Sequence, residues 1–236
     1  MGTSLYFCIR FVSQLIKNRN IAVANKLDTK TWVSKSMDML SMVEDCGGKF
    51  HIEGLDNILK SEGPVVFIGN HMSTLETMIL PGLIASKRDV TFVVKQSLMT
   101  HPLFGPVMRA RKPIAVERKN PAVDFKKVML DGVENLKQNI SVVIFPQSQR
   151  KVKFDSQHFN KMGIKLAKMG KVSIVPVALK TDFWKNGKII KDVGPLNRKS
   201  PIHIKFGEPF SIEGSGTKEH QRVIEFIESN LAIWNK

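Results

Sequence analysis

The sequence predicts an α/β fold: a central, largely parallel or mixed sheet flanked by helices, with an amphipathic two-helix appendage at the N-terminus. Three observations carry this. Short continuous apolar runs occur at residues 65–68, 90–94, 114–116, 142–145, 172–179 and 202–206, the pattern of strands buried on both faces. Helical periodicity separates several of them, with stripes at Phe125, Val128, Met129, Val133 and Leu136 and at Val223, Ile224, Ile227, Leu231 and Trp234. Buried strands that alternate with helices imply a sheet covered on both sides. The opening segment, ahead of the first apolar run, has helical spacing.

The appendage is assigned to residues 1–47 and the α/β domain to 48–236. Leu5, Cys8, Phe11, Val12, Leu15 and Ile16 form one helical stripe, and Trp32, Val33, Met37, Leu40 and Val43 a second. Lys17, Arg19, Lys26, Lys30 and Lys35 lie between and within them, against the single acid Asp28. A basic amphipathic segment of this kind lies in an anionic bilayer interface, or equally packs on the core with a solvated charged face. Cys46-Gly47-Gly48 marks the end of the second helix.

Apolar residues make up 42% of the 236, enough for a sizeable core, and the net charge is +15. Such a charge calls for an anionic partner. Aromatic residues do not interleave with the basic ones, and no nucleic-acid-binding signature is present, so membrane or phosphate partners lead over nucleic acid. Cys8 and Cys46 form neither a disulfide framework nor a metal spacing and are read as reduced thiols in a cytoplasmic protein. No run reaches the roughly 18–20 apolar residues of a spanning helix, and the opening segment lacks the features of a signal peptide.

The chain is organised around Gly69-Asn70-His71-Met72-Ser73-Thr74-Leu75-Glu76, where the first apolar run turns into a helix. An imidazole beside a carboxylate takes a proton from a hydroxyl, because the carboxylate fixes the tautomer and stabilises the imidazolium. Residues five apart on one helix lie roughly 140° apart, so His71 meets Glu76 only from the turn before the helix. The same residues also fit a capping box, with Ser73 as N-cap and Glu76 reaching back to its amide. A second cluster, at residues 146–150, lies beyond another predicted strand, the end of a parallel sheet at which ligands bind.

Four blocks then stand in order: Asn70-His71-x4-Glu76; Lys95-Gln96-Ser97-Leu98 with Pro102-Leu103-Phe104-Gly105-Pro106-Val107-Met108 and Pro113-Ile114-Ala115-Val116-Glu117-Arg118; Val143-Ile144-Phe145-Pro146-Gln147-Ser148-Gln149-Arg150; and Ile174-Val175-Pro176-Val177-Ala178-Leu179. Together they resemble the glycerolipid acyltransferase family of the 1-acyl-sn-glycerol-3-phosphate acyltransferase type, over roughly residues 50–210. The resemblance implies transfer of a fatty acyl group from a thioester, on acyl-CoA or acyl carrier protein, to the free hydroxyl of a lysophospholipid, with lysophosphatidate the leading acceptor. It implies His71 as general base, Glu76 as its orienting partner, and Arg118 and Arg150 as ligands of the acceptor phosphate. Lys95, Gln147 and Ser148 stand at further substrate-binding positions. It implies no metal and no cofactor beyond the donor, and a peripheral enzyme on the cytoplasmic face of an anionic membrane. Residues between Leu98 and Met108 line acyl access or belong to the core.

Two of the blocks depart from the family pattern. Glu76 stands where aspartate is usual, and Gln147-Ser148-Gln149 replaces the usual Glu-Gly-Thr before Arg150. Gln147 keeps hydrogen-bonding capacity and loses the negative charge, which makes the pocket more positive. The expectation is that catalysis survives and the choice of acceptor changes. The alternative is an altered scaffold that binds a lipid or an acyl carrier without turnover.

Overall fold

A computed structural model describes residues 4–147, 149–187 and 194–236. Its sheet has seven strands in the order β1-β7-β6-β2-β5-β3-β4: β1 (Phe50–Glu53), β2 (Val65–Gly69), β3 (Val90–Lys95), β4 (Ile114–Val116), β5 (Ser141–Ile144), β6 (Ser173–Lys180) and β7 (Ile202–Phe206). Five of them, β6, β2, β5, β3 and β4, run parallel. β7 is antiparallel to β6 and parallel to β1. All six predicted runs are strands. β1 was not foreseen; it is four residues at the sheet edge with every second residue exposed, too short and too polar to stand out as a run.

The helices are α1 (Ser4–Val23), α2 (Thr29–Asp45), α3 (Leu75–Ala85), α4 (Ser97–Thr100), α5 (Gly105–Arg111), α6 (Pro121–Lys137), α7 (Met162–Gly170) and α8 (Thr217–Trp234). They form two layers. Val65 and Phe67 face a core shared with α1, α2 and α3, while Val66 and Ile68 face one shared with α6, α7 and α8. The alternation along β2 follows from the two-residue period of a strand. Because both faces are covered, the strand is fully buried.

The N-terminal pair is built into the first of these cores. Phe7 and Phe11 clamp Trp184 in edge-on contacts at 5.0 and 4.7 Å, and Leu15 is buried with them. The single stripe expected on α1 is in fact two faces. Phe7, Phe11 and Leu15 turn inward, while Leu5, Ile9, Val12 and Ile16 are 70%, 62%, 42% and 43% exposed. At 100° per residue these sets lie on opposite sides of the helix, a division that periodicity alone merges. Arg10 pairs with Asp45 at 2.6 Å and the Gln14 amide donates to the Lys35 carbonyl at 2.8 Å, holding α1 to α2. α2 starts at Asp28, whose carboxylate accepts from the Thr31 amide, and ends at Cys46 with Gly47 at φ +89°. The C-terminus lies where Cys46-Gly47-Gly48 placed it.

α2 also repairs a fault in α3. Pro81 inside α3 has no N–H and its ring crowds the preceding turn. The buried Ser36 hydroxyl of α2 donates to the Met78 carbonyl and accepts from the Gly82 amide at 2.9 Å. A side chain from a neighbouring helix thus bridges the donor and acceptor that an uninterrupted helix would join directly. Gly82 permits the approach, since a Cβ there would lie 2.8 Å from Ser36 Oγ.

Candidate active site

The carboxyl ends of the five parallel strands lie at one end of the sheet, and four of them lead into residues already singled out. β2 leads to His71, β3 ends at Lys95, β4 leads to Arg118, β5 to Gln147 and Arg150, and β6 to Thr181. Topology, rather than sequence proximity, assembles the site.

His71 sits in the loop between β2 and α3, not on the helix, as the five-residue spacing demanded. Its Nδ1 lies 2.9 Å from Glu76 Oε1, and its ring stacks on Phe145 with centroids 4.6 Å apart and planes 11° from parallel. Glu76 is fully buried on the first turn of α3. The amides of Met72 and Ser73 donate to Oε1 at 2.6 and 2.8 Å, and the Ser73 and Thr181 hydroxyls contact Oε2 at 2.9 and 2.5 Å. The expected capping box is only half present: Glu76 reaches back to the Ser73 amide, but the N-cap is Thr74, because the helix begins one residue later, and the Ser73 hydroxyl accepts from the Leu75 amide; one carboxylate oxygen serves the Ser73 amide and His71 together. Burial pushes the Glu76 carboxyl up, but His71, Thr181 and the Ser73 amide outweigh it and hold the group below the ordinary glutamate range. The pair is an ionised carboxylate on Nδ1, which leaves Nε2 as the nitrogen free to take a proton.

The loop that carries His71 is held from three sides. Asn70 is buried and exchanges two hydrogen bonds with the Leu179 backbone of β6, at 2.7 and 2.9 Å. Gln147 Oε1 accepts from the His71 amide at 2.7 Å, and the Lys151 amide donates to the His71 carbonyl at 2.9 Å. The Asn186 side chain donates to the Met72 carbonyl at 3.1 Å. Gln147 thus acts on the histidine loop directly. Its Nε2 is buried without a hydrogen-bond partner among the described residues.

The two arginines converge. Arg150 Nη1 donates to the Thr74 hydroxyl at the N-cap of α3. Arg118 follows β4 in a left-handed turn, φ +62°, a conformation that costs a non-glycine residue about 1 kcal/mol or more. Asp124 on the first turn of α6 stabilises the turn by accepting from the Glu117 and Arg118 amides at 3.0 and 2.8 Å. Burial lowers the proton affinity of the Arg118 guanidinium, Asp124 opposes this, and the charge of Arg150 lowers it further. Two cations that feel each other beside a histidine–carboxylate pair are suited to an anionic group that carries a hydroxyl.

Of the remaining sequence candidates, Lys95 is exposed at the end of β3, in register with Val116 just before the Arg118 turn. Ser148 lies outside the described residues. Leu103 and Phe104 pack against the first core, which favours the core reading for that part of the Leu98–Met108 stretch. Sequence reasoning missed Asp124, Thr181 and Asn186. Asp124 had a local signal, an acid in the first turn of a helix behind an Asn cap. Thr181 and Asn186 had none, since they meet the histidine loop only through the pairing of β6 with β2.

A family model described as Acyltransferase matches residues 49–180. The chain is 28% identical over 191 residues to the 1-acyl-sn-glycerol-3-phosphate acyltransferase of Pseudomonas aeruginosa, over 79% of this chain and 70% of that protein. It is 24% identical to the protein of the same name from Streptococcus pneumoniae, over 76% of this chain and 65% of that one. For the Saccharomyces cerevisiae protein of that name the match spans 54% of its length. The crystal structure of the 1-acyl-sn-glycerophosphate (LPA) acyltransferase PlsC from Thermotoga maritima superposes with a TM-score of 0.74, over 97% of this chain and 93% of that one, at 18% identity. At that identity the match establishes a shared fold.

Proposed function

Because this chain belongs to the Acyltransferase family, we propose that it transfers a fatty acyl group from an acyl thioester to the free hydroxyl of a lysophospholipid, with lysophosphatidate as acceptor. One observation carries the reading: His71 on a buried carboxylate, at 2.9 Å, stands at the same end of the sheet as Arg118, after β4, and Arg150, on the Thr74 hydroxyl at the start of α3.

In the proposed reaction the acceptor's phosphate rests on Arg118 and Arg150, which brings its hydroxyl to His71. Nε2 takes the hydroxyl proton as the oxygen attacks the thioester carbonyl. The C–S bond then breaks, the acyl ester forms, and the leaving thiolate takes the proton from the imidazolium. Glu76 holds the tautomer and stabilises the imidazolium throughout. General-base assistance of this kind contributes roughly 10²–10⁴-fold. A thioester is already activated, so the scheme needs neither a nucleophilic side chain nor a metal or cofactor beyond the donor, acyl-CoA or acyl carrier protein. Lys95 and the residues of the third block, Gln147 among them, take part in acceptor binding.

Residues 1–47 serve in this reading as the docking element on an anionic membrane, at its cytoplasmic face, and 48–236 as the catalytic domain. The support is the outward stripe Leu5, Ile9, Val12 and Ile16, with Lys17, Lys26 and Lys30 exposed at the end of α1 and the start of α2. An apolar face rimmed by cations seats in a headgroup layer. No helix among the described residues is long and apolar enough to cross a membrane.

The test is product formation by the purified full chain on vesicles containing lysophosphatidate, with acyl-CoA and acyl carrier protein compared as donors. Phosphatidate is expected from at least one donor. Saturable binding of lysophosphatidate with no product from either would overturn acyl transfer in favour of a lipid-binding scaffold.

A further inference from the structure

Glu76 has two carboxylate oxygens, and contact with His71 engages one. The other, Oε2, lies 2.5 Å from the Thr181 hydroxyl and 2.9 Å from that of Ser73, and the two hydroxyls are 3.0 Å apart. Thr181 is fully buried and lies immediately beyond β6, more than a hundred positions from Glu76 in the chain. Its own place is fixed: its amide lies 3.3 Å from Met72 Sδ. The preceding Lys180 is tied to Asp182 and Ser200 at 3.0 and 2.6 Å. A glutamate has one more torsion than an aspartate. Two amides hold the near oxygen, and the contact of the far one sets how the carboxylate is rotated about it and hence how it meets the imidazole.

We propose, on the acyl-transfer reading above, that Thr181 is a positioning residue of this site. Its hydroxyl, with that of Ser73, pins Oε2 and so fixes the orientation in which Oε1 meets His71 Nδ1. The Ser73 hydroxyl also accepts from the Leu75 amide at 3.1 Å, so it is held on both sides and completes the anchor. The consequence is electrostatic as well as geometric. With its histidine neutral, the His71–Glu76 pair carries a net negative charge in a buried setting, and a hydroxyl donor favours that state. Without the donor, the buried carboxylate loses one of the contacts that offset its burial and orient it toward the imidazole. The charged groups around it are Arg150 and Lys151 from the loop after β5, Arg118 from the turn after β4, and the Lys180–Asp182 pair beside β6. A change at Thr181 alters none of them.

The experiment compares Thr181→Val, which keeps the shape and removes the hydroxyl, with Thr181→Ser, which keeps the hydroxyl, in the full chain. The readout is kcat and the acceptor KM for phosphatidate formation. A hydrogen bond to a charged group corresponds to roughly a tenfold effect or more. Thr181→Val is therefore expected to lower kcat about tenfold, with the acceptor KM little changed. Thr181→Ser is expected to keep the wild-type kcat. Should the valine variant fold poorly, Ser73→Ala serves in its place, with a loss of kcat in the same sense. A Thr181→Val kcat equal to wild type, a rise in KM at unchanged kcat, or a Thr181→Ser as slow as the valine variant overturns the proposal while acyl transfer stands. A wild type that forms no product overturns the reading on which it rests.

Discussion

Glu76 is an ionised carboxylate with no exposed surface, and the donors around it make that tenable. Burying such a group without partners would cost several kcal/mol; here two amides, two hydroxyls and an imidazole meet it. Its folded-state proton affinity is below the ordinary value. The carboxylate therefore stabilises the fold above the unfolded-state value, and that contribution is lost as pH falls through the depressed one. Thermal unfolding of Glu76→Gln should show a lower melting temperature than wild type at neutral pH and a shallower decline on acidification below about pH 4. Parallel melting curves at all pH values would count against an ionised Glu76. Gln147 permits a second prediction at this scale. Its Oε1 must accept from the His71 amide, so the group without a partner among the described residues is the amide nitrogen. Gln147→Glu keeps the acceptor and adds a negative charge near Arg150. It should alter the ranking of lysophospholipid acceptors in a panel of initial rates, and identical rankings would show that Gln147 does not set acceptor choice. His71 and Glu76 were legible in the sequence because their spacing encodes a local geometry. Thr181 and Asn186 were not, because their contacts exist only once β6 lies beside β2.

Helices α1, α2 and α3 form one layer in which each corrects or completes another. Ser36 substitutes for the broken hydrogen bond around Pro81. Ser36→Ala would leave the Gly82 amide and the Met78 carbonyl buried without that partner, a loss of about 1–3 kcal/mol. Chemical denaturation should show it as a lower midpoint at unchanged slope, and an unchanged midpoint would mean that the helix repairs itself. On α1 the outward residues touch little of the protein, so Leu5→Ser combined with Ile9→Ser should leave the unfolding transition within about 0.5 kcal/mol of wild type. The same variant should weaken sedimentation with anionic vesicles severalfold, and full retention would place the contact elsewhere. The end of α2 and six strands were readable in the sequence, since a Gly pair after a helical stripe and continuous apolar runs are local signals. The two faces of α1 were not separable, since its apolar residues occupy most of its circumference. α7, with nine residues, is shorter than the window over which periodicity is reliable.

At the scale of the whole molecule, five parallel strands present their carboxyl ends together, and the chain places its histidine, its arginines and its exposed Lys95 at that single end. The order of blocks in the sequence carried this arrangement in outline, because strand-to-loop junctions in a parallel sheet all open the same way. What the order did not carry is which loops touch. That is set by the sheet order, in which β2 lies between β6 and β5 and so receives Thr181 from one side and Gln147 from the other. The net charge of +15 acts at this scale too, since a charge of that size attracts anionic partners over a distance. The most direct measurement compares acyl transfer to lysophosphatidate by wild type and by His71→Ala, on vesicles at saturating donor with the fold verified by its melting curve. Removal of the imidazole is expected to lower turnover by about 10²-fold or more while lysophosphatidate binding through the arginines persists. Turnover equal to wild type would contradict the account.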